Sequence, residues 1–299
     1  MTKLNILVSL ITNDNDYQME QAAAEDAARR LNANIQVVYA GNDAVDQSQQ
    51  LLKVIQGSAE RPHAILVEPV GTGMPQVAAA AVAAGIGWGV LNREVDYVAK
   101  LRGTCEVPMF AVTTDQEEVG RIQGRQFAAF LKEGGGVLYI EGPAAGDVAR
   151  LRASGMHSTK PENANPKVLR GDRTEQSGYR AAKSWLSLST SQQLGIGVIG
   201  CQNDAMAIGA RKAFEEVAES QAGKRWLSLP LTGCDGAPKT GQDWVRRGLL
   251  AATVIVPPTI GLAFEIMVNA IRSGRQPPQR TLSTPDSYPV LKDLIAKPS

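Results

Sequence analysis

The chain has 299 residues, of which 43% are hydrophobic and 20% charged, and its formal net charge is +1. That length predicts one large domain or two medium ones, and the near-zero charge excludes a basic surface for nucleic acid or for an anionic membrane. Three widely spaced cysteines and two histidines argue against a disulfide framework, a metal cage and a histidine-based catalytic site.

The amino-terminal segment does not have the pattern of a secretory leader. Its apolar run, Leu4 to Leu10, is short and is followed at once by polar residues. No other window approaches the length of a membrane-spanning helix. We therefore expect no membrane insertion, and we expect either a cytoplasmic chain or a mature form from which a leader has been removed.

The first half of the chain alternates short apolar runs with helical patterns. Residues 4–10 are apolar almost throughout, which is typical of a buried parallel strand. Met19, Ala23, Ala27 and Leu31 then share one helical face. The same order of strand and helix is predicted through strands 35–39, 64–67 and 87–91 and helices 44–56 and 74–84. A less patterned stretch, residues 95–108, follows.

The alternation restarts near residue 110 and continues to residue 272. The predicted strands are 110–113, 137–140, 168–169, 196–199, 229–232 and 251–256, and the predicted helices are 117–132, 148–156, 176–188, 204–217 and 258–272. The proline-containing tail is predicted to be extended. Regular βα alternation in two successive halves predicts two Rossmann-like lobes, each a parallel sheet flanked by helices.

A glycine string in the second half matches a nucleotide-binding pattern only superficially. Residues 195–200 read Gly-Ile-Gly-Val-Ile-Gly, but these glycines alternate with strand residues and do not form the turn after a strand. A phosphate-binding P-loop pattern is also missing from the chain. We therefore expect no nucleotide cofactor, and a nucleotide-dependent enzyme is the least favoured of the alternatives.

Polar side chains follow several of the predicted strands, where ligands bind in open α/β sheets. After strand 196–199 come Gln202, Asn203 and Asp204; we predict that Asp204 caps the next helix, which leaves Asn203 free to point off the strand. Carboxylates and amides accept hydrogen bonds from hydroxyls, while Arg and Asn donate. The candidates at such positions, with Tyr17 as a stacking ring, are Asn13, Asp14, Asn92, Arg93, Arg150, Asn203 and Asp235.

The chain resembles the type I periplasmic sugar-binding proteins of the ribose- and galactose-binding kind, which are related to the ligand domain of lactose-repressor-type regulators. The resemblance covers roughly residues 4 to 290. The strings that carry it are Gln202-Asn203-Asp204-Ala205-Met206-Ala207, Cys234-Asp235-Gly236-Ala237-Pro238, Asn92-Arg93, Thr114-Asp115 with Gly120, and Leu250-Ala251-Ala252-Thr253-Val254.

The resemblance implies a type I periplasmic binding protein with two lobes joined by a multi-strand hinge. It implies one lobe from residues 1–112 plus 257–285 and another from residues 113–256 plus 286–299. It also implies that the lobes close on the ligand. The ligand-contacting positions that it implies are Asp14, Tyr17, Arg93, Arg150, Asn203 and Asp235; Asn13, Asp16 and Asn92 complete our candidate set.

Four positions depart from the pentose-binding pattern of that family. Asn92 replaces an aspartate, Asp16 and Cys234 replace aromatic residues, and Val256 replaces a glutamine. The ligand is therefore expected to be another sugar, a polyol or a less carbohydrate-like molecule.

Our first hypothesis is a solute-binding protein that is not an enzyme. It would bind a sugar or sugar-like molecule in the cleft between the lobes, deliver it to the permease of an ABC transporter, act in the periplasm, and be a monomer. A cytoplasmic ligand-sensing protein of the same fold is the main alternative. A lactose-type repressor is disfavoured because no helix-turn-helix pattern precedes Leu4.

Overall fold

The structure, a computed structural model, describes residues 3–13, 15–57, 60–71, 74–93, 95–132, 134–144, 147–188, 191, 194–218 and 221–296. Its strands are β1 (Leu4–Leu10), β2 (Ala33–Tyr39), β3 (Ala64–Val67), β4 (Gly87–Leu91), β5 (Met109–Thr114), β6 (Gly136–Glu141), β7 (Pro166–Arg170), β8 (Ile196–Cys201), β9 (Leu231–Asp235), β10 (Ala252–Ile255), β11 (Arg280–Ser283) and β12 (Asp286–Tyr288).

Helices connect most of these strands. They are α1 (Asn15–Arg30), α2 (Ala44–Gln56), α3 (Pro75–Ala83), α4 (Asp96–Arg102), α5 (Gln116–Phe130), α6 (Asp147–Thr159), α7 (Glu175–Leu186), α8 (Asp204–Glu216), α9 (Gln221–Ser228), α10 (Gly241–Arg246), α11 (Thr259–Ser273) and α12 (Leu291–Ala296). The chain divides into two compact units, one of Met1–Thr114 with Pro258–Ser283 and the other of Asp115–Pro257 with Thr284–Ser299.

The first unit is built on a parallel sheet in the order β11-β5-β4-β3-β1-β2. Alternate residues of each strand face opposite layers of helices. In β1, Val8 packs with Phe264 of α11 in one apolar cluster, whereas Leu7 packs with Leu51 of α2 in the other. The near-continuous apolar strands of the sequence are therefore explained by a sheet covered on both faces.

The second unit repeats this plan with the strand order β12-β10-β9-β8-β6-β7, parallel except for β12. One face packs on α7, α8 and α9 through residues such as Trp185 and Phe214, and the other packs on α5 and α6 through Phe127 and Met156. Two α/β units, each a mostly parallel sheet flanked by helices, confirm the predicted fold class.

Glycines let two pairs of helices in the second unit touch at their backbones. A methyl group on Gly155 of α6 would lie 1.9 Å from the carbonyl oxygen of Glu117 on α5. A methyl group on Gly209 of α8 would lie 1.9 Å from the carbonyl oxygen of Glu175 on α7. These contacts allow α6 to pack closely on α5 and α8 to pack closely on α7.

The structure differs from the sequence prediction mainly in its short helices. The unpatterned stretch 95–108 contains α4, whose Tyr97 and Val98 are buried. Helix α9 also lies in a segment for which no helix is predicted, and the tail, expected to be extended, ends in α12. Each of these helices has at most eight residues, too few for a clear apolar period. Trp88 and Trp185 are both buried in the cores.

Candidate functional site

In the first unit, buried hydrogen bonds join the carboxyl ends of β1 and β3. The side-chain amide of Gln47, on α2, donates to Ser9 Oγ at 3.0 Å and to the carbonyl oxygen of Glu68 at 2.9 Å. Its oxygen accepts the amide proton of Val70 at 2.9 Å. Because Gln47 and Ser9 are completely buried, these bonds hold the loop after β3 in a fixed position against β1.

Asn92 and Arg93 follow β4 in the same unit. Asn92 has a φ of +56°, a left-handed conformation that asparagine tolerates better than most residues. Its side-chain oxygen accepts a hydrogen bond from Thr259 Oγ1 at 3.0 Å, at the start of α11. The anchored turn leaves the side chain of Arg93 exposed to solvent. Both residues therefore lie where they were predicted, at the carboxyl edge of the sheet.

The loop after β1 is only partly described by the structure. Asn13 is exposed at this carboxyl end. Asp14 lies outside the described residues. Asp16 and Tyr17 lie in the first turn of α1, but their side chains are outside the described part of the chain.

In the second unit, the predicted cap of α8 is wrong. The N-cap is Asn203, whose side-chain oxygen accepts the amide proton of Met206 at 2.9 Å, while its amide donates to the carbonyl oxygen of Arg173 at 2.7 Å. Asn203 is 6% exposed, so it is buried and does not point freely off the strand. Asp204 is the first helical residue and turns inward. Asparagine and aspartate cap helices about equally well, and the sequence does not distinguish them.

The two arginines of α6 have different environments. Arg150, the predicted ligand contact, is exposed and forms an ion pair with Asp147 at 3.1 Å. Arg152, which was not predicted, is 2% exposed and donates to Gln116 Oε1 at 2.8 Å and to the carbonyl oxygen of Gln202. Its Nη1 also lies 3.5 Å from Asp235 Oδ1. Arg152 is therefore a buried link between the carboxyl ends of β8 and β9.

Asp235, the last residue of β9, presents a carboxylate at this edge of the second unit. Its side chain is 40% exposed, and its φ is +105°, which a non-glycine residue rarely adopts. The amide of the next residue, Gly236, donates to Asp204 Oδ2 at 2.8 Å. The structure thus links Asp235 to Arg152 directly and to Asp204 through the amide of Gly236.

A signal for Arg152 was present in the sequence. The buried residues of α6 are Ala149, Arg152, Gly155 and Met156, spaced by three and four, so the apolar face of the helix includes this arginine. Arg150 was predicted from its place on the helix after Asp147 and from the family resemblance. Gln202 is likewise structural, because it accepts the amide proton of Gly142 at 2.9 Å and donates to the carbonyl oxygen of Ala149 at 2.9 Å.

The buried titratable groups beneath this edge have raised pKa values, which makes the thiols among them poor nucleophiles. Burial raises the pKa of the thiols of Cys201 and Cys234, and a buried thiol with a raised pKa is a poor nucleophile. Burial, reinforced by the charge of Asp235, raises the pKa of Asp204 well above its usual value. Within the described residues, no group of His, Cys, Asp and Glu side chains could hold a metal ion. The glycines of the 195–200 string lie in or beside β8, as predicted.

Along the described part of the chain, no helix is both long and apolar enough to cross a membrane.

A protein of Rhizobium meliloti that carries the provisional name rhizopine-binding protein is 27% identical over 220 residues, which cover 71% of this chain. The match spans 65% of that relative's length.

Several solved structures share the fold. A periplasmic solute-binding protein of an ABC transporter from Actinobacillus succinogenes, with bound D-allose, matches with a TM-score of 0.78 and 19% identity over 97% of this chain and 100% of that chain. An ABC transporter solute-binding protein from Bacillus halodurans, with bound myo-inositol, matches with a TM-score of 0.72 and 20% identity over 98% of both chains. A family model described as the periplasmic binding protein domain matches residues 6–275. With two α/β units of this kind and a match over most of its length, the chain belongs to the periplasmic binding protein domain family.

Proposed function

We propose that the chain is a solute-binding protein that captures a sugar or polyol at the carboxyl ends of its strands and delivers it to an ABC permease outside the cytoplasm. The observation that carries the proposal is Asp235, a partly exposed carboxylate held against the buried Arg152. A carboxylate can accept hydrogen bonds from two ligand hydroxyls at once. Such charge-assisted hydrogen bonds are stronger than neutral ones.

The remaining groups at the strand ends fit a ligand with several hydroxyls. Arg93 and Arg150 are exposed donors, and Asn13 offers both a donor and an acceptor. With Asp14, Asp16, Tyr17, Asn92 and Asp235 they form the proposed contact set; Asn203 is left out of it because its side chain is buried and hydrogen-bonded within the protein. The D-allose and myo-inositol in the two similar structures are also polyhydroxylated.

The proposal includes closure of the two units on the ligand. This part is supported by the resemblance to hinge-closing binding proteins and by the path of the chain, which passes from one unit to the other after Thr114, Pro257 and Ser283. Segments that link two compact units are the usual hinges of such proteins.

A thermal-shift panel followed by calorimetry tests the proposal. The panel contains D-allose, myo-inositol, fructose, arabinose and glycerol, with nucleosides and NAD as controls. A ligand at roughly a thousand times its Kd is expected to add about 4 kcal/mol to the stability of the folded state. Stabilisation by nucleosides or NAD alone, or by no sugar or polyol, would contradict the proposal.

Two variants locate the site for the sugar that binds. Asp235→Asn and Arg93→Ala are each expected to weaken binding by about 10- to 100-fold, because each removes a charged partner of a hydroxyl. The matched controls are Asp293→Asn on α12 and Arg29→Ala at the end of α1, both exposed. If the controls weaken binding as much as the site variants do, the ligand does not bind at the strand ends.

A further inference from the structure

The carboxyl group of Asp204 is enclosed where β9, β10 and α8 meet. Asp204 is 4% exposed. Its Oδ1 accepts a hydrogen bond from Thr253 Oγ1 at 2.6 Å, and its Oδ2 accepts the amide proton of Gly236 at 2.8 Å. Thr253 lies on β10 and is completely buried. One side chain therefore joins the start of α8 to a neighbouring strand and to the turn that follows Asp235.

The surrounding backbone leaves room for this carboxyl group and for nothing larger. A methyl group on Gly233 would lie 2.1 Å from Asp204 Oδ1, and one on Gly241 would lie 2.0 Å from Oδ2. Both distances are far inside van der Waals contact. Glycine at these two positions thus accommodates the acid, which is packed as tightly as an apolar core residue.

The turn at Asp235 and Gly236 has a strained backbone conformation, so it depends on contacts with its neighbours. Asp235 has a φ of +105° and Gly236 a φ of +60°. For a residue with a Cβ atom, such a backbone conformation costs of the order of 1–3 kcal/mol and persists only where neighbouring contacts impose it. The carbonyl oxygen of Asp235 accepts the amide proton of Val256 at 3.0 Å, and the hydrogen bond from Gly236 to Asp204 fixes the following peptide.

We propose that Asp204 is a positioning residue for the ligand contact Asp235: by accepting the Gly236 amide proton it holds the Asp235–Gly236 turn, and with it the direction of the Asp235 carboxylate. The inference rests on the proposed function, in which Asp235 touches the ligand. Asp204 itself is too deeply buried to do so.

The charge state of Asp204 determines which substitution preserves this role. The charged groups facing it are Asp235 and Arg152, with the thiols of Cys201 and Cys234 nearby, and burial raises its pKa. In the neutral acid the carbonyl oxygen would still accept from Gly236, but the hydrogen bond with Thr253 would reverse its direction, with the Asp204 hydroxyl donating to Thr253 Oγ1. Asparagine offers the same acceptor and donor in the same shape. Asp204→Asn is therefore expected to keep the turn, and Asp204→Ala to release it.

The first measurement needs no ligand. Protein labelled with ¹⁵N-glycine reports the Gly236 amide by NMR, through its chemical shift and its hydrogen-exchange rate. In Asp204→Ala the exchange is expected to be at least tenfold faster than in the wild type, and in Asp204→Asn close to the wild type. Phe214→Leu is the matched control: it lies on the same helix, is buried against Trp226 at 5.8 Å between ring centroids, and destabilises the unit without touching the turn. Unchanged exchange in Asp204→Ala would overturn the inference.

The second measurement is calorimetric affinity for myo-inositol, and for D-allose if myo-inositol does not bind. Asp204→Ala is expected to bind about tenfold more weakly, the equivalent of one charge-assisted hydrogen bond, while Asp204→Asn and Phe214→Leu keep wild-type affinity. The double variant Asp204→Ala/Asp235→Ala should bind no more weakly than Asp235→Ala alone, because Asp204 acts through Asp235. If the losses of affinity in the two single variants add up in the double variant, Asp204 does not act through Asp235. If the wild type binds neither compound, the proposed function fails for these ligands while the amide measurement still decides whether Asp204 holds the turn.

Discussion

At the scale of single residues, the polar side chains at the strand ends of the second unit form two sets. Some face solvent, and the others are buried and support the strand ends. Asp235 and Arg150 are exposed, whereas Asn203, Arg152 and Asp204 are buried and have their hydrogen bonds within the protein. Sequence alone predicted a site at the strand ends, because polar residues follow apolar strands there. It could not rank Arg150 against Arg152, or Asn203 against Asp204, since each pair shares its chemistry and differs only in the direction of the side chain.

The raised pKa of Asp204 predicts how stability depends on pH. Because the folded state holds this acid in its neutral form more strongly than the unfolded state does, its contribution is fully present below the unfolded pKa of about 3.8 and is lost as pH rises through the raised pKa. Asp204→Asn does not titrate. Over that window, the stability of this variant is therefore expected to increase relative to the wild type by about 1.4 kcal/mol per pH unit.

Urea unfolding of both proteins from pH 4 upward measures this difference. Asp293→Asn, in which an exposed aspartate is removed from the same unit, is the control for the change of charge. A stability difference between Asp204→Asn and the wild type that stays constant with pH would show that Asp204 titrates alike in the folded and unfolded chain.

At the scale of the elements, the spacing of apolar residues predicted the long helices and buried strands but did not predict the close contacts between helices. Glycine inside a helix normally weakens it, so the sequence did not indicate that Gly155 and Gly209 lie at close contacts between helices. In the structure each lies where one helix backbone touches another. The short helices α4 and α9 were missed for a different reason, because tertiary packing stabilises them more than any pattern of their own.

The close contact between α5 and α6 gives a test in which helix propensity and packing have opposite signs. On propensity alone, Gly155→Ala would stabilise α6 by about 1 kcal/mol. The added methyl group would lie 1.9 Å from the carbonyl oxygen of Glu117, and overpacking of this kind usually costs about 1–3 kcal/mol. We expect a net loss of stability in thermal unfolding. Ser154→Ala, at an exposed position of the same helix, should be neutral or slightly stabilising; a stabilised Gly155→Ala would show that the helices move apart at little cost.

At the scale of the whole molecule, two units of the same plan are each assembled from separate stretches of chain. The repeated βα pattern made the two lobes predictable, since consecutive strand and helix units leave few alternative topologies. The partners of the carboxy-terminal strands were harder to predict: β11 joins the first sheet and β12 the second, although only Thr284 and Pro285 separate them. Their apolar periods are too short to indicate which sheet they complete, and only the family resemblance implied a lobe boundary between them, after residue 285.

Closure on a ligand, as proposed, is a property of the whole chain and calls for a measurement on that scale. Saturation with the sugar identified in the panel is expected to lower the radius of gyration measured by small-angle X-ray scattering. Asp235→Ala at the same ligand concentration, chosen below the Kd of the variant, should show no such change and serves as the control. An unchanged radius of gyration in the saturated wild type would argue for binding without closure.

The late position of β11 has a consequence for how the protein is made. Strand β5 ends at Thr114, but its neighbour β11 begins at Arg280. At a synthesis rate of about 5–20 residues per second, a ribosome needs roughly ten to thirty seconds to produce the intervening chain. During that time the edge of β5 has no partner strand, and an unpaired edge invites association with other chains. The nascent protein therefore passes through an interval in which this edge of its first sheet is open to association with other chains.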